Sequence, residues 1–393
     1  MVSRAVVKFG GADLSTGEKI RKAAQKVVNS GIKEVVVVVS AMGKTTDNLI
    51  EYISNLGKIS DAEYADIVSM GERTSARLFS AALRSLGVES VYFDPSEENW
   101  PIITNSNYLD AEPDLERTRS LVKRYIEPLL GKCIPVVCGF LGKDLEGRVT
   151  TLGRGGSDTT AILLGNCLEA DEVILVKETE GVLSADPRVV PEAKPLENIT
   201  VEEMFTLAKG GAKVVRSESL RYKLPNQKLR VVSFSAGSIR EGGTEIIGVF
   251  NSGKVETHKF KGLTAITVIG DINPKSVGFL LSKIEDNPLY GISTGRSSLT
   301  IFLMVQDVEK VLREIHNIGV FKALSHRCGV GMIGLSHPDF VNSPGWVARI
   351  SGALASKGIN ILEVTSSKST INIFIDEGLI EEAILAVGDV VEV

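Results

Sequence analysis

The sequence has little of what marks several protein classes. Its 393 residues include four cysteines, Cys133, Cys138, Cys167 and Cys328, whose spacing matches no metal-binding motif, so we expect reduced cysteines. The formal net charge of −5 argues against a surface that binds nucleic acid. We find neither a signal-peptide pattern nor a long uncharged apolar segment, which predicts a cytoplasmic protein without a membrane partner.

What is present is typical of a globular protein, with 43% hydrophobic and 24% charged residues, and the length predicts two or three domains. Over the first 250 residues, short apolar runs bounded by glycine alternate with helical patterns. The β-branched run at residues 35–39 favours a strand covered on both faces. We therefore predict, over residues 1–250, a doubly wound α/β domain whose mostly parallel sheet binds ligands at the carboxyl ends of its strands.

The rest of the chain predicts a duplicated smaller unit. The strand patterns TIF at residues 300–302 and NIF at residues 372–374 lie 72 positions apart, each within a repeated strand–helix pattern. This indicates two ferredoxin-like βαββαβ units, over residues 260–325 and 326–393. We place the boundary with the first domain in the polar stretch at residues 250–262.

The stretch TTLGRGGSDTTA has the most specific composition in the chain. Arg154 offers a planar fork that matches a carboxylate, and Gly155 and Gly156 leave the backbone open to a ligand. Ser157 and Asp158 open a predicted helix whose first N–H groups point at an anion. Because a capped glycine turn does not explain the arginine and both glycines, we predict a site for an anionic group beside a phosphate. Phosphoryl transfer requires such a site.

Three further stretches are weaker on their own. KFGG, with Lys8, Gly10 and Gly11, suits a phosphate loop but also a turn after an edge strand. SAMGKTTDN suits a capped helix start as well as a ligand contact. In SMGERTSARL we place Glu72 close to a helix start, where it would bind a substrate ammonium or interact with the helix dipole.

Taken in order and spacing, these strings resemble the aspartate kinases of the amino acid kinase superfamily over the whole chain. The strings are KFGG, VVVVVSAMG, SMGE, GFLG, TTLGRGGSDTTA, GVLSADPR and GAKV. The tail resembles paired ACT domains, with SPGWVARISGALASKGINI in the effector-binding half. The resemblance implies the amino acid kinase fold and transfer of the γ-phosphate of ATP, with Mg²⁺, to the β-carboxylate of L-aspartate. This reaction is the first step of lysine, threonine and methionine biosynthesis.

The resemblance also implies roles for individual residues. Lys8 is implied to stabilise the transferring phosphoryl group, and Asp158 to orient the active-site lysines or the metal. The implied nucleotide contacts are Lys8, Gly10, Gly11, Lys177, Glu178, Arg188 and Lys213. The implied aspartate contacts are Ser40, Thr45, Thr46, Glu72, Phe140, Arg154, Gly155 and Ser157.

Within the aspartate contacts, Arg154 is implied to hold the α-carboxylate and Glu72 the α-ammonium. The spacing does not choose between Thr45 and Thr46. Two strings depart from the family and leave nucleotide recognition open. KFGGADLS replaces the usual Gly-Gly-Thr-Ser, so Ala12 supplies no hydroxyl, and KETEG has Lys177 and Glu178 where Thr-Asp is usual.

For the tail, the resemblance implies an allosteric site for threonine or lysine and a homodimer or larger oligomer formed through the ACT domains. The implied effector contacts are Ser343, Pro344, Gly345, Asn360 and Ile361. The first ACT unit keeps little of the family's effector loop, which leaves open whether it binds anything.

Two alternative functions compete with this one. The first is another kinase of the superfamily that acts on glutamate or N-acetylglutamate. Glu72 counts against it, since an acylated amine needs no carboxylate partner, and so do the paired ACT domains. The second is an amino-acid sensor without catalysis, which the intact Lys8, Arg154 and Asp158 count against.

Overall fold

The computed structural model describes residues 4–250, 255–341 and 343–391. The chain divides into two compact units, Met1–Phe250 and Asn251–Val393. Among the described residues, no helix is both long enough and apolar enough to cross a lipid bilayer.

The first unit is built on one large twisted sheet. Its strands in chain order are β1 (Arg4–Phe9), β2 (Glu34–Val39), β3 (Ser90–Phe93), β4 (Ile134–Cys138), β5 (Leu141–Lys143), β6 (Val149–Thr151), β7 (Glu172–Lys177), β8 (Asn198–Thr200), β9 (Lys228–Ser233) and β10 (Thr244–Ile247). The sheet order is β3-β4-β2-β1-β7-β9-β10-β8, and β5 and β6 form a separate hairpin. Neighbouring strands of the sheet run parallel except for β9 and β10, so the predicted mostly parallel fold is confirmed.

Helices connect these strands, with bounds α1 (Gly17–Asn29), α2 (Thr45–Ser54), α3 (Asp61–Ser85), α4 (Leu115–Tyr125), α5 (Gly156–Cys167) and α6 (Val201–Lys209). Local sequence sets their starts. Thr16 caps α1 by accepting from the Lys19 N–H, and Ser60 and Glu63 form a capping box at the start of α3. All twelve residues of α5 are buried, so this helix has no solvent-exposed face.

The order of the strands places the binding crevice. From β1 the chain moves to β2 on one side, while β7 lies on the other side of β1. Ligands of open α/β sheets bind beyond the carboxyl ends of the strands where the order reverses. The carboxyl ends of β1, β2 and β7 therefore mark the crevice.

The second unit is a six-stranded antiparallel sheet with helices. Its elements are β11 (Glu256–Ile269), α7 (Pro274–Ser282), β12 (Leu289–Thr294), β13 (Ser298–Met304), α8 (Val308–His316), β14 (Ala323–Ser336), α9 (Trp346–Ser356), β15 (Glu363–Ser367), β16 (Thr370–Asp376) and α10 (Ile380–Val391). The sheet order is β12-β13-β11-β14-β16-β15. This is the predicted pair of βαββαβ units, joined edge to edge.

The two halves share their long strands β11 and β14. Residues 263–269 of β11 pair with β13 and with the first part of β14, whereas residues 256–260 pair with residues 332–336 of β14. The second half thus takes its fourth strand from the start of the region, ahead of the first half. The boundaries at residues 260–325 and 326–393 stay a prediction, but they leave out this strand. Part of the stretch predicted as a polar boundary is strand, and its residues 251–254 lie outside the described residues.

Candidate active site

A cleft of about 860 Å³ opens at the carboxyl ends of β1, β2 and β7. It brings together most of the residues singled out from the sequence. Those that line it are Lys8, Gly11, Ser40, Thr46, Glu72, Phe140, Arg154, Gly155, Ser157, Asp158, Lys177 and Lys213.

One buried carboxylate and two ammonium groups form the floor of the cleft. Lys8 on β1 lies 2.9 Å from Asp158 Oδ1, and Lys177 at the end of β7 donates to both Asp158 oxygens at 3.0 and 2.9 Å. Burial would raise the pKa of Asp158, but Lys177 and Lys8 outweigh it and hold that pKa at about 2. Burial lowers the pKa of Lys177 to about 8, against the opposing effect of Asp158. Both oxygens of Asp158 are thus engaged by the two lysines.

The glycines after β1 allow a close approach of two loops. A Cβ added at Gly11 would lie 2.5 Å from the Ala41 carbonyl oxygen, and Gly43 N–H donates to the Gly11 carbonyl at 2.8 Å. The N–H of Gly10 is not directed at the cleft, because it donates to Asp13 Oδ2 at 3.2 Å. Only a residue without a side chain fits at Gly11. The glycine at this position of KFGG is therefore required by packing, in addition to its predicted contact with phosphate.

Asp13 is a functional candidate that sequence reasoning did not single out. The residue is 1% exposed, and within the described residues its Oδ1 atom has no hydrogen-bond partner. Burial raises its pKa to about 6, although the Gly10 N–H and Lys8 act in the opposite direction. The replacement of Gly-Gly-Thr-Ser by GGAD was the signal that could have identified it.

Glu72 lies in the interior of α3, so its predicted position close to a helix start is wrong. The helix begins eleven residues earlier, at Asp61, and the side chain reaches the cleft from the middle of a long helix. Glu72 Oε1 accepts from the Ala41 N–H at 3.0 Å, and Oε2 has no partner among the described residues. Burial raises the pKa of Glu72 to about 7. An unpaired buried carboxylate oxygen facing the cleft suits a ligand cation.

The glycine-rich turn before α5 presents Arg154. Gly155 has a φ of +79°, a conformation that favours glycine, and α5 begins at Gly156. The predicted opening of a helix at Ser157 and Asp158 is thereby confirmed to within a residue. The guanidinium of Arg154 is exposed to the cleft and forms no ion pair within the described residues, so it is available to an anion.

Two other loops also contribute to the cleft. Phe140, after β4, has a φ of +68°, and its N–H donates to Thr160 Oγ1 on α5 at 3.0 Å. At the start of α2, Thr46 lines the cleft, whereas the hydroxyl of Thr45 donates to the Met42 carbonyl at 2.7 Å. The structure thus places Thr46 rather than Thr45 at the cleft.

Three predicted nucleotide contacts do not line the cleft. They are Gly10, Glu178 and Arg188. The side chain of Arg188 is 79% exposed and engages Asp186 through two hydrogen bonds of 3.0 and 2.7 Å. Glu178 is 66% exposed and lies 4.0 Å from Lys19. The charges of Arg188 and Glu178 are thus directed to neighbouring side chains or to solvent. The contacts of all three residues with ATP stay a prediction.

Arg216 is a cleft residue that the sequence reasoning missed. Its guanidinium donates to Asp110 at 2.9 Å, and a Cβ added at Gly155 would meet the Arg216 side chain at 3.2 Å. Arg216 therefore covers the turn that carries Arg154. The charged string RSES that follows GAKV was the available signal.

The predicted effector residues fall into two groups in the second unit. Ser343, Pro344 and Gly345 precede α9, and Gly345 caps it with a φ of +91°. Asn360 and Ile361 follow the same helix. The eleven residues of α9 span roughly 16 Å, so within one chain these two groups do not contact one small ligand.

An aromatic cluster stands beside the first of these groups. The rings of Phe340 and Trp346 are 5.0 Å apart, and the guanidinium of Arg349 lies 3.8 Å from the Trp346 ring. In the described part of the chain the Trp346 Nε1 has no hydrogen-bond partner.

Comparison with known proteins gives the family. Residues 3–233 match the amino acid kinase family, and residues 326–387 match the ACT domain. An aspartokinase of Mycolicibacterium smegmatis is 30% identical over 98% of this chain and 95% of its own length. The aspartokinase of Corynebacterium glutamicum is 31% identical over the same shares of the two chains. The chain belongs to the aspartokinase family.

A solved aspartokinase agrees with this assignment. The aspartate kinase of Synechocystis has a TM-score of 0.74 and 25% identity, and the match covers 99% of this chain and 70% of that one. The predicted amino acid kinase fold with ACT domains is confirmed, as is the predicted enzyme class at the level of the aspartokinase family. Kinases of this family use ATP, generally with a divalent metal ion.

The described residues contain no cluster of three or more His, Cys, Asp or Glu side chains that could hold a metal ion. The carboxylate nearest Lys8 and Lys177 is Asp158, and both of its oxygens are engaged by these lysines. The donor set of the cleft is therefore suited to a metal ion that arrives on the phosphates of the nucleotide.

Proposed function

We propose that this cleft transfers the γ-phosphate of ATP to the β-carboxylate of L-aspartate, which yields β-aspartyl phosphate and ADP. The observation that carries the proposal is the arrangement of charge in one cleft. The buried Lys8–Asp158–Lys177 group lies on its floor, while the available Arg154 and the unpaired Glu72 Oε2 face the same space. Fixed cations stabilise phosphoryl transfer, and a cation–anion pair recognises an amino acid.

In this proposal Lys8 stabilises the charge that develops on the transferred phosphoryl group. Asp158 holds the ammonium of Lys8 in place, and because its pKa is about 2 it stays ionised at neutral pH. Lys213, which is exposed at the cleft, is available to the phosphates of ATP. No proton transfer is required, since the attacking β-carboxylate is already ionised.

Aspartate binding rests on two opposed charges. Arg154 binds the α-carboxylate through its two-pronged fork, and Glu72 accepts the α-ammonium at Oε2. Thr46, Ser40 and Phe140 complete the pocket at the carboxyl end of β2 and before α5. An N-acetylated substrate would lack the ammonium and leave the Glu72 carboxylate buried and unpaired, which favours aspartate over N-acetylglutamate.

Magnesium is proposed as the metal ion that accompanies ATP. It would be held by phosphate oxygens, and the chemistry that it supplies when bound is neutralisation of phosphate charge. The residues of the chain hold the lysines and the substrate in place.

We also propose regulation through the second unit by threonine or lysine. The Ser343–Gly345 turn opens α9 and presents N–H groups to a carboxylate. Because Asn360 and Ile361 lie at the other end of α9, a second copy of the chain would be needed to bring both groups to one ligand. This supports a homodimer or larger oligomer formed through the ACT domains, and we place the protein in the cytoplasm.

The reaction is tested by trapping its product with hydroxylamine, which converts an acyl phosphate into a hydroxamate but leaves a phosphate ester unchanged. We expect hydroxamate that depends on both ATP and aspartate. Parallel reactions with glutamate and N-acetylglutamate should give little. Release of ADP without hydroxamate would show that the phosphate goes to water or to a hydroxyl group, and the proposal would be wrong.

Regulation is tested by melting temperature. An effector that binds the folded state at about 100 times its Kd stabilises it by about 2.7 kcal/mol, so saturating threonine or lysine should raise the melting temperature. If neither amino acid changes the melting temperature or the rate, the second unit serves oligomerisation instead.

A further inference from the structure

Lys177 occupies a place in the cleft that its position in the sequence did not suggest. It stands where the family usually has threonine, at the point of the chain expected to contact the nucleotide. Its side chain does not extend toward solvent, however. It is 19% exposed, and its ammonium is held by both oxygens of Asp158.

The register of the sheet explains this placement. Strands β1 and β7 are parallel neighbours, and Lys8 is aligned with Leu175. Side chains two positions apart along a strand lie on the same face, so Lys177 shares the face of Leu175 and of its neighbour Lys8. Helix α5 packs on these two strands and brings Asp158 to them.

The two ammonium groups are close enough to act on one phosphoryl group. Lys8 Nζ lies 2.9 Å and Lys177 Nζ 3.0 Å from the same Asp158 Oδ1 atom. The two nitrogens are therefore at most about 6 Å apart, which is within reach of two oxygens of one phosphate. Each ammonium has three N–H donors, and Asp158 engages only part of them, so both groups can still donate to an anion.

A second carboxylate accompanies the additional lysine. Asp13 takes the last position of the string that replaces Gly-Gly-Thr-Ser, and it is 1% exposed near Lys8 and Lys177. The family's neutral residues at these two positions are thus replaced by a lysine and an aspartate that lie in the same buried region. Because Asp13 and Lys177 carry opposite charges, Asp13 limits the free-energy cost of burying the ammonium of Lys177 in the absence of substrate.

From this geometry we propose that Lys177 is a catalytic residue, whose ammonium binds the transferred phosphoryl group together with that of Lys8. The inference rests on the proposed phosphoryl transfer and deepens it. Asp158 is the common counter-ion of the two lysines, and it positions both of them toward the γ-phosphate. Lys177 thereby acts on the charge that develops in transfer, whereas the nucleobase and the ribose are left to other residues.

The test compares Lys177→Met with the wild-type enzyme in the hydroxamate assay and in the binding of ATP and of a transition-state mimic. We expect kcat to fall by about 10²-fold or more, while the KM for aspartate changes less than about threefold. Affinity for the transition-state mimic formed by ADP, aluminium fluoride and aspartate should fall by the same factor as kcat. Affinity for ATP should fall much less.

A matched control is Lys228→Met, which removes a lysine at the other end of the neighbouring strand β9. Lys228 is exposed and is aligned with Glu172 at the start of β7, so its loss should leave kcat within about twofold. Removing Lys177 leaves Asp158 paired with one ammonium. A second variant, Lys177→Thr, makes the same change with the residue that is usual in the family at this position. We expect the same loss of kcat from it.

The outcomes distinguish a failure of the proposed function from a failure of the proposed role of Lys177. If the wild-type enzyme forms no hydroxamate, the proposed function is wrong. If it is active but either folded Lys177 variant keeps kcat within about threefold, Lys177 has no catalytic role. Equal losses of affinity for ATP and for the transition-state mimic would make Lys177 a ground-state contact of the nucleotide and overturn the inference.

Discussion

The rings of Phe302 and Phe374 stack face to face, with centroids 3.7 Å apart and planes inclined by 15°. Phe302 lies on β13 and Phe374 on β16, which are corresponding strands of the two halves of the second unit. Both side chains are buried, and with Leu263, Val330 and Met332 they form a core distinct from the two cores under the helices. The internal repeat in the sequence thus becomes a physical contact between its two copies.

This contact predicts that the two phenylalanines are coupled energetically. Each single replacement, Phe302→Leu and Phe374→Leu, should lower the melting temperature of the full chain. In the double variant the effects should fall short of additivity by about 0.5–1.5 kcal/mol, the usual contribution of an aromatic pair. Phe279→Leu on α7 is the control, since Phe279 is 42% exposed and its loss should have little effect. Strict additivity in a thermal-unfolding cycle would disprove the coupling.

Replacement of Arg154 by lysine should weaken aspartate recognition selectively. Lysine keeps the charge but loses the fork, and loss of such a charge-assisted contact costs about 2–4 kcal/mol. We expect kcat/KM for aspartate to fall on the order of 10²-fold, with the affinity for ATP nearly unchanged. Steady-state kinetics with each substrate varied will measure both quantities. An equal loss for ATP would place Arg154 at the phosphates instead.

The raised pKa of Glu72 predicts that the free protein loses stability as the pH rises. The folded-state pKa is about 7 because the carboxyl is buried, whereas the ordinary value is 4.5. The folded protein therefore binds more protons than the unfolded chain between these values, and stability falls as the pH rises through this window. Glu72→Gln should therefore raise the free energy of unfolding by on the order of 3 kcal/mol at pH 8, and should change it very little near pH 4.5. Melting curves at several pH values will show whether the gain grows with pH.

Glu72 should also control aspartate binding. Whereas the stability of the free protein falls as the pH rises, aspartate binding should become tighter. The ionised form of Glu72 binds the α-ammonium, so the KM for aspartate should decrease as the pH rises from 6 to 8. Glu72→Gln should raise this KM and flatten its pH dependence. A KM that keeps its pH dependence in the variant would assign the titration to another group.

Gly71 should be as necessary for aspartate binding as the neighbouring Glu72. A Cβ at Gly71 would lie 2.6 Å from the Cβ of Ala41, whose N–H holds Glu72 Oε1. Gly71→Ala should therefore push α3 away from this loop and raise the KM for aspartate by about 10-fold or more, since small misplacements of substrate contacts are costly. Gly352→Ala in α9 is the control, because no atom lies within 4 Å of its added Cβ. That change should be neutral or stabilise by about 0.5–1 kcal/mol, as is usual for glycine within a helix. Normal aspartate kinetics in Gly71→Ala would contradict the packing argument.

The class of the fold and two of the three residues on the floor of the cleft were predictable from the sequence. Hydrophobic runs such as residues 35–39 and the glycine turn before α5 are local signals, and local signals act through periodicity and backbone conformation. They placed Lys8 at the end of β1 and Asp158 at the start of α5, and chain order alone predicted the parallel sheet. The repeat of TIF and NIF likewise revealed two equivalent halves of the second unit.

Which groups meet in the cleft depends on contacts between distant parts of the chain. Glu72 reaches the cleft from the middle of α3, and Asp13 and Lys177 come together because β1 and β7 are neighbours in the sheet although 164 residues separate these two side chains in the chain. The pairing of residues 256–260 with residues 332–336 of β14, which completes the second half, is also a long-range contact. Such contacts depend on strand order and register, which are fixed by the packing of the whole domain, whereas the local pattern around each residue carries no information about its distant partner.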